Sequence, residues 1–237
     1  MGEAKRRRAL GQTEVYHHTS ALYSSLILMS SVIQVEGSPQ KHPVLHPYLD
    51  VEVMGSDVRL RRALKDFLPL VWLTTEISIP KCLINLKLCL RDKKTGEIVG
   101  KQDCDRAMEE AFSLGRLAFG FNIKDIPVIP WPDHYGFRTC EGRQLNETAR
   151  EYGDSPTRWF VSEKPIDMTL VSSIWTPRKN QKYRLERNDQ CLRDTKAVVA
   201  LCKEREGVFI APAWLSEKDA RALANKLGVP AVDPSAL

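Results

Sequence analysis

Tyr16-His17-His18-Thr19-Ser20 puts two imidazoles and two hydroxyls into five consecutive positions. If this stretch is a strand, His17 and Thr19 point to one side and His18 and Ser20 to the other. An imidazole N–H and a hydroxyl side by side can grip one ligand by directional bonds. The same residues also suit a polar edge strand whose hydroxyls cap the next helix. His17, His18, His42 and His46 are four of the five histidines, which raises the question of a metal. His42 and His46 have the i, i+4 spacing of helical ligands, but Pro43 and Pro47 keep an ordinary helix from presenting both rings on one face, so no metal is expected. A second cluster lies in residues 127–143, where Trp131, His134, Tyr135, Phe137, Arg138 and Arg143 interleave aromatic rings with cations. Single-stranded nucleic-acid binders combine those two types, rings for stacking and cations for phosphates. The alternative is a proline-locked loop that packs its rings onto the body of the protein.

Patterning predicts the elements that would carry these residues. Residues 14–20 read as a strand, 21–29 as a short helix, 30–35 as a further extended piece, and 36–48, with Gly37, Pro39, Pro43 and Pro47, as a loop. Residues 59–67 form a basic amphipathic segment ending before Pro69, and 70–75 an apolar strand of the mid-sheet kind. Leu83, Leu86 and Leu90 leave 80–90 open between helix and strand, while 92–96 is a turn before a strand from 97, which suggests a hairpin. A helix is predicted over 105–119, stopping at Gly120, and another over 145–152. Residues 158–162 and 168–175 read as the last two strands of the main sheet. From 189 onward a helix (196–203), a strand (207–211) and a helix with Ser216 as N-cap and Gly228 as terminator suggest a small α/β appendage. The expected organisation is a basic arm over 1–12, an α+β main domain over 13–188 and a C-terminal module over 189–237.

The totals bound the function classes. The chain has 237 residues, 43% hydrophobic and 27% charged, which is enough for one sizeable core and excludes wholesale disorder. Cys82, Cys89, Cys104, Cys140, Cys191 and Cys202 are scattered, without the paired spacing of a zinc or redox motif. No apolar run approaches the ~20 residues of a bilayer span, no h-region follows the N-terminus, and Arg6 stands where a myristoylation signal wants Ser or Thr. A cytoplasmic protein with no membrane partner is expected. Net charge is +5, from 35 basic and 30 acidic residues, so only Lys5 to Arg8 forms a concentrated run.

The order Tyr16-His17-x-Thr19-Ser20, a short helix, an Ile-bearing second piece (31–33) and the strand at 69–74 resembles the ADP-ribosyltransferase superfamily, in particular small bacterial members with a His-Tyr-Thr-Ser-type start. The resemblance covers about a third of the chain. It implies a mixed, split β-sheet that grips NAD as cosubstrate and passes ADP-ribose to a macromolecular acceptor, protein or nucleic acid. By position, His17 would bind the adenosine ribose with Thr19 beside it, Trp72 would wall the nicotinamide, and Glu163 would stabilise the oxocarbenium-like state. Glu36, Glu76 and Glu141 are alternatives for that carboxylate. The glycine that family members place after the first helix is Val32 here. The transferase reading requires the His17 imidazole and the Trp72 indole to line one dinucleotide-sized cavity, with residues 127–143 touching the acceptor. The competing reading is a non-enzymatic binding or inhibitor protein, of phage or plasmid accessory type, that holds RNA, DNA or protein with the basic aromatic loop.

Overall fold

The computed structural model describes residues 13–35, 51–55, 70–81, 87–92, 95, 98–103, 116–178, 181–205, 209–211 and 217–232. The basic arm, the loop at 36–48, the segment 59–67 and the Ser216 cap fall outside them. The fold is α+β, with mostly antiparallel pairing.

Among the described residues the main sheet has seven strands, in the order β12-β11-β7-β1-β4-β9-β8. In chain order these are β1 (Glu14–Ser20), β4 (Val71–Thr74), β7 (Arg116–Asn122), β8 (Ile129–Pro130), β9 (Trp159–Ser162), β11 (Val171–Arg178) and β12 (Gln181–Arg187). Two short strands, β2 (Val32–Ile33) and β10 (Ile166–Asp167), pair with each other. A separate three-stranded sheet is made of β3 (Val51–Gly55), β5 (Lys87–Asp92) and β6 (Ile98–Asp103). The last two form the expected hairpin. Among the described residues the helices are α1 (Ala21–Ser30), α2 (Cys140–Glu151), α3 (Asp189–Glu204) and α4 (Glu217–Leu227). Parallel β13 (Phe209–Ile210) and β14 (Ala231–Val232) flank α4.

One expected element differs where it is described. Residues 116–119, expected to end the helix over 105–119, instead open β7, which pairs along its whole length with β1, while 105–115 lie outside the described residues. Gly120 is therefore no helix terminator. A Cβ there would overlap the Ser173 hydroxyl and come within 3.1 Å of the Tyr16 ring, so a glycine lets that ring cross the strand. The helix expected over 196–203 begins at Asp189, where the Asn188 side chain accepts from the Cys191 N–H. The strand expected over 168–175 starts only at Val171, after a 3₁₀ turn, and β12 adds an edge strand beyond it.

The two faces of the main sheet bury different cores. On one, Val15, Val71, Leu73, Phe119, Phe121, Phe160 and Ile174 meet Leu28 of α1 and Val198, Val199 and Cys202 of α3. Phe209, Ile210, Ala220 and Ala224 belong to this cluster too, so the segment from 189 onward shares its core with the sheet. On the other face, Leu70, Trp131, Leu145, Ala149, Trp159 and Val161 form a smaller aromatic cluster under α2. Among the described residues, no helix is long and apolar enough to cross a membrane.

Candidate functional site

The smaller cluster organises the aromatic loop. Trp72 stands opposite Val161, and its ring meets Trp131 edge-on at 4.8 Å and Trp159 at 5.7 Å. Such edge-to-face pairs add about 0.5–1.5 kcal/mol each beyond the area they bury. Trp131 opens a 3₁₀ turn (Trp131–Asp133) and is fully buried. A buried indole N–H needs an acceptor, and Asn146 of α2 supplies it at 2.8 Å while its amide reaches the Phe137 carbonyl.

His134 stacks on Trp131 with ring centroids 5.4 Å apart. Its Nδ1 accepts from the Gly136 N–H at 3.0 Å, so the ring proton sits on Nε2, which donates to Glu163 Oε1 at 3.1 Å. A second 3₁₀ turn (Tyr135–Arg138) follows, and Thr139 then caps α2 by accepting from the Gly142 N–H at 3.0 Å. The Trp131 indole, the His134 imidazole and the Thr139 hydroxyl each have a partner, and the segment forms a braced platform.

The platform divides the expected binding residues into two sets. Trp131 and His134 are buried, 0% and 3% exposed, and cannot meet a partner. Phe137 is partly buried against the same cluster. Tyr135 is 57% exposed, and Arg138 and Arg143 are exposed beside it, tied together by an Arg143 Nη1 bond to the Arg138 carbonyl at 2.7 Å. The scaffold residues Asn146, Gly136, Gly142 and Thr139 were not singled out from sequence; the Thr139 cap ahead of Gly142 was the available signal.

The proposed dinucleotide pair is not brought together. Tyr16 pairs with Thr74 across β1 and β4, so Tyr16 and Thr74, and with them His18 and Trp72, project from one face. His17 pairs with Phe119 and Thr19 with Leu117, on the opposite face, over the larger core. The His17 ring bonds the Trp72 backbone carbonyl at 3.0 Å, while the Trp72 indole packs between Trp131 and Trp159 on the far side. The two rings therefore do not line one cavity, and Trp72 is part of the aromatic core. His18 Nε2 donates to the Glu76 carbonyl at 2.9 Å, and its Nδ1 has no partner. Burial lowers both imidazoles, His18 to about 4, so both are neutral near neutral pH. The neighbouring Tyr16 phenol, buried and bonded to Glu14, is pushed up to about 12 and stays a donor.

Of the alternative carboxylates, Glu76 is bonded to Arg158 at 2.7 Å. Glu36 and the Glu141 side chain lie outside the described residues. Where the family glycine was missed at Val32, the left-handed step occurs one residue earlier, at Ser31 (φ 56°). A shallow surface depression is lined by Ser78, Arg178, Arg184, Leu185 and Glu186, none of them a candidate from the sequence motifs. Set against family models, curated proteins and solved structures, the chain matches none of them.

Proposed function

We propose that the protein binds single-stranded nucleic acid through the platform at 131–143. The observation that carries this reading is the division of the aromatic loop: Trp131 and His134 are spent on bracing it, while Tyr135, Arg138 and Arg143 are held outward. A base stacks on any aromatic face, and guanidinium groups neutralise phosphates, so this trio suits an unpaired strand. Bracing matters because a backbone segment already fixed in place loses little entropy on binding. The test is titration of a labelled oligouridylate at several salt concentrations. Affinity should fall steeply with salt, Tyr135→Ala should weaken binding by about 5- to 100-fold, and Arg138→Ala and Arg143→Ala should each flatten the salt slope by about 0.7. Absence of binding at 50 mM salt would remove this reading.

ADP-ribosyl transfer is the second reading, and one arrangement favours it. β1, β4 and β9, the strands that carry His17, Trp72 and the lead into Glu163, stand side by side in the sheet although far apart in sequence. Among the described residues the β1–β4 ladder is a single pair, Tyr16 with Thr74, which is where a split sheet would part. His134 also fixes the orientation of Glu163, as a charge-stabilising carboxylate needs. Against it, His17 and Trp72 leave opposite faces, so the pocket that the resemblance implies for that pair is not formed, and the reading stands only with a different ring as the nicotinamide wall. NAD at millimolar concentration should raise the melting temperature if the transferase reading holds. No shift, together with no NAD hydrolysis, rules it out.

A further inference from the structure

Glu163 sits oddly in a surface that binds phosphates. Its side chain is 54% exposed, next to the exposed Lys164 and bonded to His134 of the platform, where a negative charge weakens attraction for a polyanion. Nor is it left to move freely. His134, whose side chain is buried, donates to Oε1 from within at 3.1 Å, and the other ring nitrogen of the same imidazole is fixed by the Gly136 N–H. The Tyr135 ring leans against that imidazole, with centroids 4.4 Å apart and the planes 33° from parallel. A half-buried carboxylate oriented by a buried histidine therefore stands within about one nucleobase length of an exposed stacking ring.

The chemistry of that pair is selective. An ionised carboxylate only accepts hydrogen bonds, so it favours a base edge that presents adjacent donors. On the pairing edge, guanine offers N1–H and N2–H₂ side by side, matching two carboxylate oxygens. Adenine and cytosine set one amino group beside a ring nitrogen lone pair that a carboxylate repels, and uracil flanks its N3–H with two carbonyls. We propose that Tyr135 and Glu163 form a subsite for one unpaired guanine, stacked on the phenol ring and read along its pairing edge by the carboxylate. The subsite rests on the nucleic-acid reading above and gives it a sequence preference.

The experiment compares five labelled dodecamers by fluorescence anisotropy: oligouridylate, and the same strand with a single central guanine, inosine, adenine or cytosine. The guanine strand should bind about 5- to 100-fold tighter than oligouridylate, the scale of a good bidentate base contact. Inosine, which lacks the N2 amino group, should fall between guanine and uridine, and adenine and cytosine should give no gain. In Glu163→Gln the guanine-to-uridine ratio should fall to about 1. Equal binding of all five strands by the wild-type protein, or a ratio that survives Glu163→Gln, overturns the subsite and leaves the platform reading standing. Binding of none of the strands overturns both.

Discussion

At the scale of single residues, two glycines of the platform and a serine beside the large core carry opposite predictions. Gly142, in the first turn of α2, is where the helix crosses the second platform turn, and a Cβ there would overlap the Gly136 carbonyl oxygen. Gly136 in turn has the His134 ring and the Trp131 indole within 2.9 and 3.1 Å of where a Cβ would stand. Backbone cannot yield as a flexible side chain can, so Gly142→Ala should destabilise the protein by about 2–3 kcal/mol, as overpacking does. Urea denaturation reads this directly, and a loss under 0.5 kcal/mol would show that the crossing relaxes freely. Ser31 predicts the opposite sign. It holds φ 56°, which costs a residue with a Cβ about 1 kcal/mol, and its hydroxyl makes only long bonds, 3.4 and 3.5 Å, to the Leu28 and Val199 carbonyls. Ser31→Gly should therefore be neutral to about 1 kcal/mol stabilising, and a clear loss would mean that those long bonds matter more than the strain.

At the scale of elements, the junction of β1 and β4 is the informative one. With one ladder pair between the strands, the His17 and His18 rings carry much of the cross-link, donating to the Trp72 and Glu76 carbonyls. Both imidazoles are neutral in the fold and are easier to protonate once released, near the ordinary value of about 6.5. Unfolding therefore takes up protons below that pH: the stability held above about 6.5 is lost as pH falls toward about 4, where His18 protonates within the fold as well. His18 alone accounts for on the order of 3 kcal/mol across this window. In His18→Gln, which keeps a donor for the Glu76 carbonyl, the drop in stability between pH 6.5 and 4 should shrink by about that amount. An unchanged slope would assign the acid loss to other groups. The same junction marks how far sequence alone reaches. β1, α1 and β4 are legible, because strand-type residues, helical spacing and a compact apolar run each act locally. β7 is not legible, although Leu117, Phe119 and Phe121 alternate with the small Ala118 and Gly120, because alanine and leucine content also satisfies a helix. The side of the sheet each motif residue faces is not legible at all. A one-residue change of register turns every side chain over, and only pairing with β7 and β4 shows that His17 and Trp72 face away from each other. Likewise, the aromatic loop could be recognised as a cluster, but which rings it buries depends on Asn146 and α2, which come later in the chain.

At the scale of the whole molecule, the large core draws on Val15, Phe119, Val199 and Phe209, which span nearly the whole sequence. α3 packs against β11 and α1, and Lys203 bonds both oxygens of Asp167 at 3.0 and 2.8 Å, joining α3 to β10. That exposed pair adds little by itself. The buried apolar side chains are what bind the C-terminal segment to the sheet, so the two should unfold together rather than as separate modules. Phe209 is fully buried among them, and Phe209→Ala should cost about 3–5 kcal/mol. In a Trp214→Phe background, tryptophan emission comes from the Trp72, Trp131 and Trp159 cluster on the opposite face of the sheet and from Trp175 of β11, all within the main sheet and its aromatic loop, while far-UV circular dichroism follows all elements. If the core is continuous, Phe209→Ala moves both urea midpoints down by the same amount, because a cavity in one part of a cooperative unit lowers the stability of all of it. If the emission midpoint stays put while the dichroism splits into two steps, the C-terminal segment is an independent unit, and its helices cannot be what holds α1 and β11 in place.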